Sequence, residues 1–381
     1  MKICFLTRLD PFDHKSWSGI CYQMFSSLAS HHTVQWVGNK DLSLWLRFFI
    51  KLQTTFDYLR KRERGYPHFN KLHCILKAKY IKKKLERINF DLIFAPNSPD
   101  YVAYLETEIP IVYLRDTTFQ LFIDYYPSFF GLNEKDKKEG NEIEKNALDR
   151  AWKIIYSSKW AAESALNYYQ AEVSKISIID FGANLLYEPQ KKYIPSDRRN
   201  EVCNILFIGV DWIRKGGEVA YKAFLKLQKE GFNCKLTIVG CNPKLTEGTE
   251  NIEIVAFLDK KNNLDFYKLF NIYLRSHFLL LPTTADCTPV VISEAAAFGI
   301  PVIATDTGGI SAVIHEGVNG YLLPDNADEN CYSNKIKSVF EDKDLYNTLR
   351  INSRREFETR LSWKIWINKI NHLISHNFKF I

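Results

Sequence analysis

Asp286 and Glu294 are separated by seven residues, Thr288-Pro289-Val290-Val291 among them. The apolar run Phe278–Leu281 reads as a buried strand that leads into the loop holding Asp286. A helix then begins near Pro289-Val290. The first amides of a helix have no partner within it, and with the helix dipole they make a site for an anion. Pro289 suits that first turn, where its missing N–H costs nothing. Glu294, inside the helix, can reach the hydroxyls of a sugar but cannot support a phosphate. Gly308-Gly309 follows the next strand and lets backbone approach a ligand closely.

A second segment, Phe207-Ile208-Gly209 followed by Arg214-Lys215-Gly216-Gly217, places a basic pair between a strand end and a helix start. Arginine offers a planar donor fork and lysine a point charge, and together they suit a diphosphate. Taken alone, the pair reads as ordinary surface charge. Other chemistries are poorly represented. There is no Ser-His-Asp order and no G-x-S-x-G. The eight cysteines form no C-x-x-C pair and have no histidines at metal-ligand spacing, so reduced, mostly buried thiols are expected and no metal site.

The elements that must hold these loops alternate between strand and helix. Residues 2–7, 33–37, 91–95, 111–114 and 153–157 read as strands, with helices over 19–30 and 160–169. The pattern restarts with strands over 204–208, 235–239, 253–255, 278–281 and 302–304, and helices over 217–230, 264–270 and 291–298. Alternation of this kind predicts parallel sheets with helices on both faces. A chain of 381 residues, 46% apolar and 25% charged, has room for two such domains. The polar, proline-containing stretch 183–200 reads as their junction. Ligands of open parallel sheets sit outside the carboxyl ends of the strands, so the cleft between two such sheets is the expected site. No apolar run is long enough to span a bilayer. The start of the chain reads as a first strand of a cytosolic protein rather than a secretory signal.

Taken together, Gly209, Arg214-Lys215, Asp286-x7-Glu294, the run from Gly299 to Gly308-Gly309, and Gly317-x-Asn319-Gly320 resemble the retaining glycosyltransferases of family 4. The likeness is dense over residues 203–325 and looser before them. It implies the GT-B fold, α/β with two Rossmann-like doubly wound domains facing across a cleft. The expected division is residues 1–183 for the acceptor, 184–361 for a nucleotide-sugar donor, and a helix over 362–381 packing back on the first domain. Gly209, Arg214 and Lys215 match residues that hold the donor diphosphate. Val290 and Val291, after Thr288-Pro289, match the amides near the phosphate. Glu294 matches the acid that binds the ribose, and Asp286 the acid that contacts the donor sugar, here one methylene shorter than the family's Glu. Gly19 matches a loop glycine that admits the diphosphate. Phe257 and Leu258 match the base-binding region. Where many relatives carry a histidine, this chain has Arg115-Asp116, and Asp116 is the expected sugar or acceptor contact; a helix cap is its other reading.

The implied reaction is retaining, metal-independent hexosyl transfer to a glycan or lipid-linked acceptor, as in bacterial surface polysaccharide or lipopolysaccharide synthesis. Arg214, Lys215 and the helix amides would neutralise charge growing on the leaving phosphate, with no cofactor beyond the donor. A nucleotide-sugar 2-epimerase and a non-catalytic nucleotide-sugar-binding subunit are the rival readings.

The net charge is +7, but residues 40–87 alone hold 14 Lys/Arg against four acids, a local +10. Within 42–52 only Ser43, Arg47 and Lys51 are polar, and they line one stripe of a helix. Trp and Phe beside Arg and Lys suit a membrane interface, and a helix over 77–87 adds attraction to anionic lipid. Peripheral attachment at the inner face of the cell membrane is the expectation; burial of the helix between layers is the alternative. No nucleic-acid motif accompanies the charge.

Overall fold

Short aliphatic strands and the helices between them build two parallel sheets. The computed structural model describes residues 1–61, 67–194, 202–247 and 249–378. The chain divides into two units, Met1–Ile179 and Asp180–Ile381.

The first unit runs β1 (Lys2–Leu6), α1 (Ile20–Ala29), β2 (Thr33–Val37), α2 (Leu44–Lys61), α3 (Lys71–Leu85), β3 (Leu92–Pro96) and α4 (Pro99–Val102). It continues with β4 (Ile111–Arg115), α5 (Phe119–Phe122), α6 (Glu134–Arg150), β5 (Lys153–Tyr156), α7 (Lys159–Asn167) and β6 (Ile176–Ile178). Its six strands are ordered β2-β1-β3-β4-β5-β6, each neighbouring pair parallel. Every residue of β3 and β4 is buried, as helices on both faces require.

The second unit runs β7 (Cys203–Ile208), α8 (Gly217–Lys229), β8 (Cys234–Val239), β9 (Ile252–Val255), α9 (Asn263–Arg275) and β10 (Phe278–Leu281). Then come α10 (Val290–Ala297), β11 (Val302–Thr305), β12 (Gly320–Leu323), α11 (Glu329–Glu341), α12 (Lys343–Thr359) and α13 (Trp363–Phe378). Its order is β12-β11-β10-β7-β8-β9, again all parallel. Two apolar clusters cover its faces: Leu206 belongs to one, Ile205 and Phe207 to the other, because successive strand residues point to opposite sides.

Chain order reverses between β7 and β10, so the loops leaving these strands flank a switch point, the place where open parallel sheets bind ligands. The reversal in the first sheet lies between β1 and β3.

Several boundaries move. The expected helix over 264–270 extends across Asn263–Arg275, and the one over 77–87 covers Lys71–Leu85. Within the stretch expected as a junction, Ala183 and Leu185 pack into the second unit's core, and the Ala183 N–H bonds the Leu361 carbonyl at 3.0 Å. Residues 195–200 of that stretch lie outside the described residues. At the start of α13, Trp363 stacks on Phe181 at 6.2 Å and its indole N–H donates to Asn184 at 2.9 Å.

Candidate functional site

The loop after β7 is held by one of its own side chains and by the loop after β10. The Arg214 N–H donates to the Asp211 carboxylate at 3.1 Å, and the Arg214 carbonyl accepts from the Thr284 N–H at 2.9 Å. The same carbonyl takes the hydroxyls of Thr283 at 3.0 Å and Thr284 at 3.1 Å. Gly216 lies where this loop meets the one after β10. Its φ is +71°, and a Cβ there would stand 1.7 Å from the Pro282 carbonyl oxygen. Only glycine satisfies both conditions.

Arg214, Lys215 and Asp286 are brought together. The Arg214 guanidinium donates to the Ala285 carbonyl at 2.7 Å and lies 3.9 Å from the Asp286 carboxylate. The Lys215 ammonium pairs directly with the same carboxylate. The Lys215 stem crosses Gly209, where a Cβ would come within 2.9 Å of its Cγ. The Asp286 carbonyl accepts from the Gly309 N–H at 3.1 Å, which ties in the loop after β11, and Gly308 there has φ +58°.

Helix α10 follows, buried along its whole length. Pro289 is its N-cap, one position before the expected first turn, and no side chain caps the helix. Val290 and Val291 supply its first amides. Glu294 is buried, and both its oxygens are engaged. The Tyr273 hydroxyl donates to one at 2.8 Å, and the Lys260 ammonium pairs with the other. Tyr273 stacks on Phe298 with ring centroids 4.9 Å apart. Burial, reinforced by the charge of Glu294, pushes the Tyr273 phenol well above its ordinary range, so it stays a proton donor. Neither partner was foreseen. Lys260 follows Phe257-Leu258, the only nearby signal; Tyr273 reads from sequence as a core aromatic of α9. Phe257 itself is 52% exposed, in the loop after β9, and Leu258 packs against the core.

In the first unit, Gly19 precedes α1 with φ +85°, and Trp17 and Ser18 are also left-handed, at +51° and +55°. The Trp17 indole N–H donates to the Asp116 carboxylate at 3.0 Å. Asp116 does not cap the following helix: Thr118 does, accepting from the Leu121 N–H at 3.4 Å. Arg115 is buried in an ion pair with Glu144 and is not available to a ligand. Behind the strand ends, buried Asp100 pairs with buried Lys77 at 2.8 Å, with Arg8 and His68 nearby. Burial raises the Asp100 carboxyl, but Lys77, His68 and Arg8 override it and hold the group well below the carboxylate range.

Among the described residues no three His, Cys, Asp or Glu side chains cluster to hold a metal ion. The eight cysteines are unbridged, and Cys331 is the exposed one.

Two parallel, doubly wound sheets of this order are the GT-B architecture. Residues 193–356 match the family model of the glycosyl transferases group 1. It is 23% identical over 306 residues to spore coat protein SA of Bacillus subtilis, covering 74% of this chain and 77% of that protein. It is 24% identical over 240 residues to the capsular polysaccharide biosynthesis glycosyltransferase CapM of Staphylococcus aureus, covering 58% of this chain and 61% of CapM. Among solved structures it resembles Anabaena HepE in complex with UDP, with a TM-score of 0.63 and 18% identity, over 99% of this chain and 100% of that one.

Proposed function

We propose that this protein transfers a hexosyl group, with retention, from a nucleoside-diphosphate sugar to a glycan or lipid-linked acceptor in surface polysaccharide synthesis. One observation carries the reading: Arg214, Lys215, Asp286 and the start of α10 converge at the switch point of the second sheet. Glu294 lies on that same helix. A diphosphate needs the cations and the amides; a ribose needs a carboxylate beyond them.

The donor's anomeric carbon–oxygen bond breaks, and the pair of electrons leaves on the diphosphate. Arg214, Lys215 and the Val290 and Val291 amides stabilise that charge without a divalent metal. The acceptor oxygen bonds the anomeric carbon, and its proton passes to the departing phosphate oxygen. Asp286 contacts the reacting sugar, Glu294 the ribose, and Phe257 and Leu258 the base. Gly19 admits the diphosphate, and Asp116 meets sugar or acceptor hydroxyls. That Anabaena HepE was solved with UDP makes UDP-sugars the first donors to try, and the CapM likeness supports the acceptor class.

The test is a panel of UDP-, GDP-, ADP- and dTDP-sugars, read by thermal shift and nucleoside-diphosphate release. One donor should stabilise the protein and slowly lose its diphosphate, and Lys215→Ala and Glu294→Ala should abolish both. Binding that survives both substitutions would overturn the site. Binding without turnover, even with acceptors present, would favour a non-catalytic subunit.

A further inference from the structure

Helix α2 turns its apolar face to solvent. Leu44, Trp45, Phe48, Leu52, Phe56 and Leu59 are all exposed, Trp45 at 83%. Spaced one, three and four apart, they occupy one continuous arc of the helix. The opposite side anchors it: Leu46 packs on the core of the first unit, and Gln53 bonds the His73 ring at 3.0 Å. The helix is therefore fixed with its aromatic side outward, and the alternative of burial between layers is wrong for that side.

Arg47 and Lys51, one turn apart and exposed, flank the arc on one edge. Asp57 is the single acid in α2. The basic character of the wider stretch is smaller than its sequence implies. Lys71, Lys77, Lys82 and Lys84 are each committed to an acid, Glu142, Asp100, Glu106 and Asp41 respectively. Lys79, Lys83 and Arg87 of the α3 region are exposed. Arg62 and Arg64 lie outside the described residues.

A broad apolar arc of Trp, Phe and Leu edged by cations matches one partner above others. We infer that α2 lies in the headgroup–acyl boundary of an anionic lipid bilayer, its aromatic arc in the acyl region and Arg47 and Lys51 on lipid phosphates. The charge complementarity selects anionic lipid over a neutral surface. The inference stands independently of the transferase reading, because no group at the switch point takes part.

The experiment is co-sedimentation of the whole protein with phosphatidylcholine vesicles, with and without phosphatidylglycerol, at low and high salt. Binding should require the anionic lipid and weaken with salt. The pair Arg47→Glu and Lys51→Glu should cut it by about fivefold or more per residue, since each cation near an anionic surface contributes on the order of fivefold. The pair Trp45→Ser and Phe48→Ser should abolish it. A blue shift of tryptophan fluorescence on binding should be lost in Trp45→Phe. Thermal unfolding in the absence of lipid should be unchanged in all of these variants, since every substituted side chain is exposed. Equal binding by wild type and both pairs, or no binding to anionic vesicles, would overturn the inference. So would light scattering that shows a dimer dissolved by Trp45→Ser and Phe48→Ser, because the arc would then be a contact between copies.

Discussion

The Gly309 N–H bonds the Asp286 carbonyl oxygen at 3.1 Å, joining the loops that leave two adjacent strands, β10 and β11. Asp286 thus has its backbone held from one side and its carboxylate held by Lys215 from another. The two contacts have opposite consequences for a ligand. The first orients the acid, while the second neutralises the cation that a diphosphate would use.

Replacing Asp286 by Asn therefore separates binding from transfer. Lys215 loses its competing partner, and repulsion between carboxylate and phosphate disappears. Affinity for free nucleoside diphosphate should rise about threefold to tenfold, in line with roughly 1 kcal/mol for the pairing that is lost. Sugar transfer should fall at least about a hundredfold if Asp286 meets the reacting sugar. Calorimetry and a product assay read the two quantities; weaker binding by Asp286→Asn would contradict this arrangement.

Tyr273→Phe tests the support beneath Glu294. Removing the hydroxyl leaves one buried carboxylate oxygen without its donor, which costs about 1–3 kcal/mol. The midpoint of thermal unfolding should drop by several degrees. Nucleotide affinity should fall too, but by less than in Glu294→Ala, because Lys260 still holds the other oxygen. A variant as stable as the wild type would show that the bond contributes nothing.

Two left-handed glycines offer a controlled comparison. Gly216 and Gly231 have φ of +71° and +75°, yet a Cβ at Gly231 meets nothing within 4 Å. Gly231→Ala should cost only the backbone term, about 1–2 kcal/mol. Gly216→Ala adds a collision with the Pro282 carbonyl and should cost clearly more, while also weakening donor binding by displacing Lys215. Equal urea midpoints for the two variants would refute the crowding argument.

Lys77→Met should destabilise the first unit by about 3–5 kcal/mol, the usual cost of leaving one member of a buried ion pair. Because Asp100 is held well below its ordinary range, its contribution is complete above about pH 4 and is lost as the pH falls further. The acid side of the wild-type stability curve should therefore be steeper than that of Asp100→Asn. Parallel curves would assign the acid loss to other carboxylates.

Much of this architecture is legible from residue patterns. Fully buried parallel strands such as Leu92–Pro96 and Phe278–Leu281 are unbroken apolar runs between turn residues, and they stand out. The basic pair after Gly209 and the acids around Pro289 are legible too, because they sit in short loops next to such strands. Helices α6 and α12 were not foreseen: long polar faces leave only sparse buried positions, such as Ile143, Ala147 and Leu148 in α6. The Lys260–Glu294 and Tyr273–Glu294 contacts join residues 34 and 21 positions apart, across elements whose packing no local spacing encodes. The choice between buried and exposed faces of α2 likewise depends on what covers it, and that is a property of the fold.

The Arg214 carbonyl gathers three donors, from the Thr283 hydroxyl and from the amide and hydroxyl of Thr284. The loop that carries the cations is therefore tied down by the chain's own groups. Its conformational entropy is lost when the chain folds, and little more is lost when a ligand arrives. Association at this loop should accordingly proceed as rigid docking, with rates set by diffusion and charge rather than by rearrangement of the backbone.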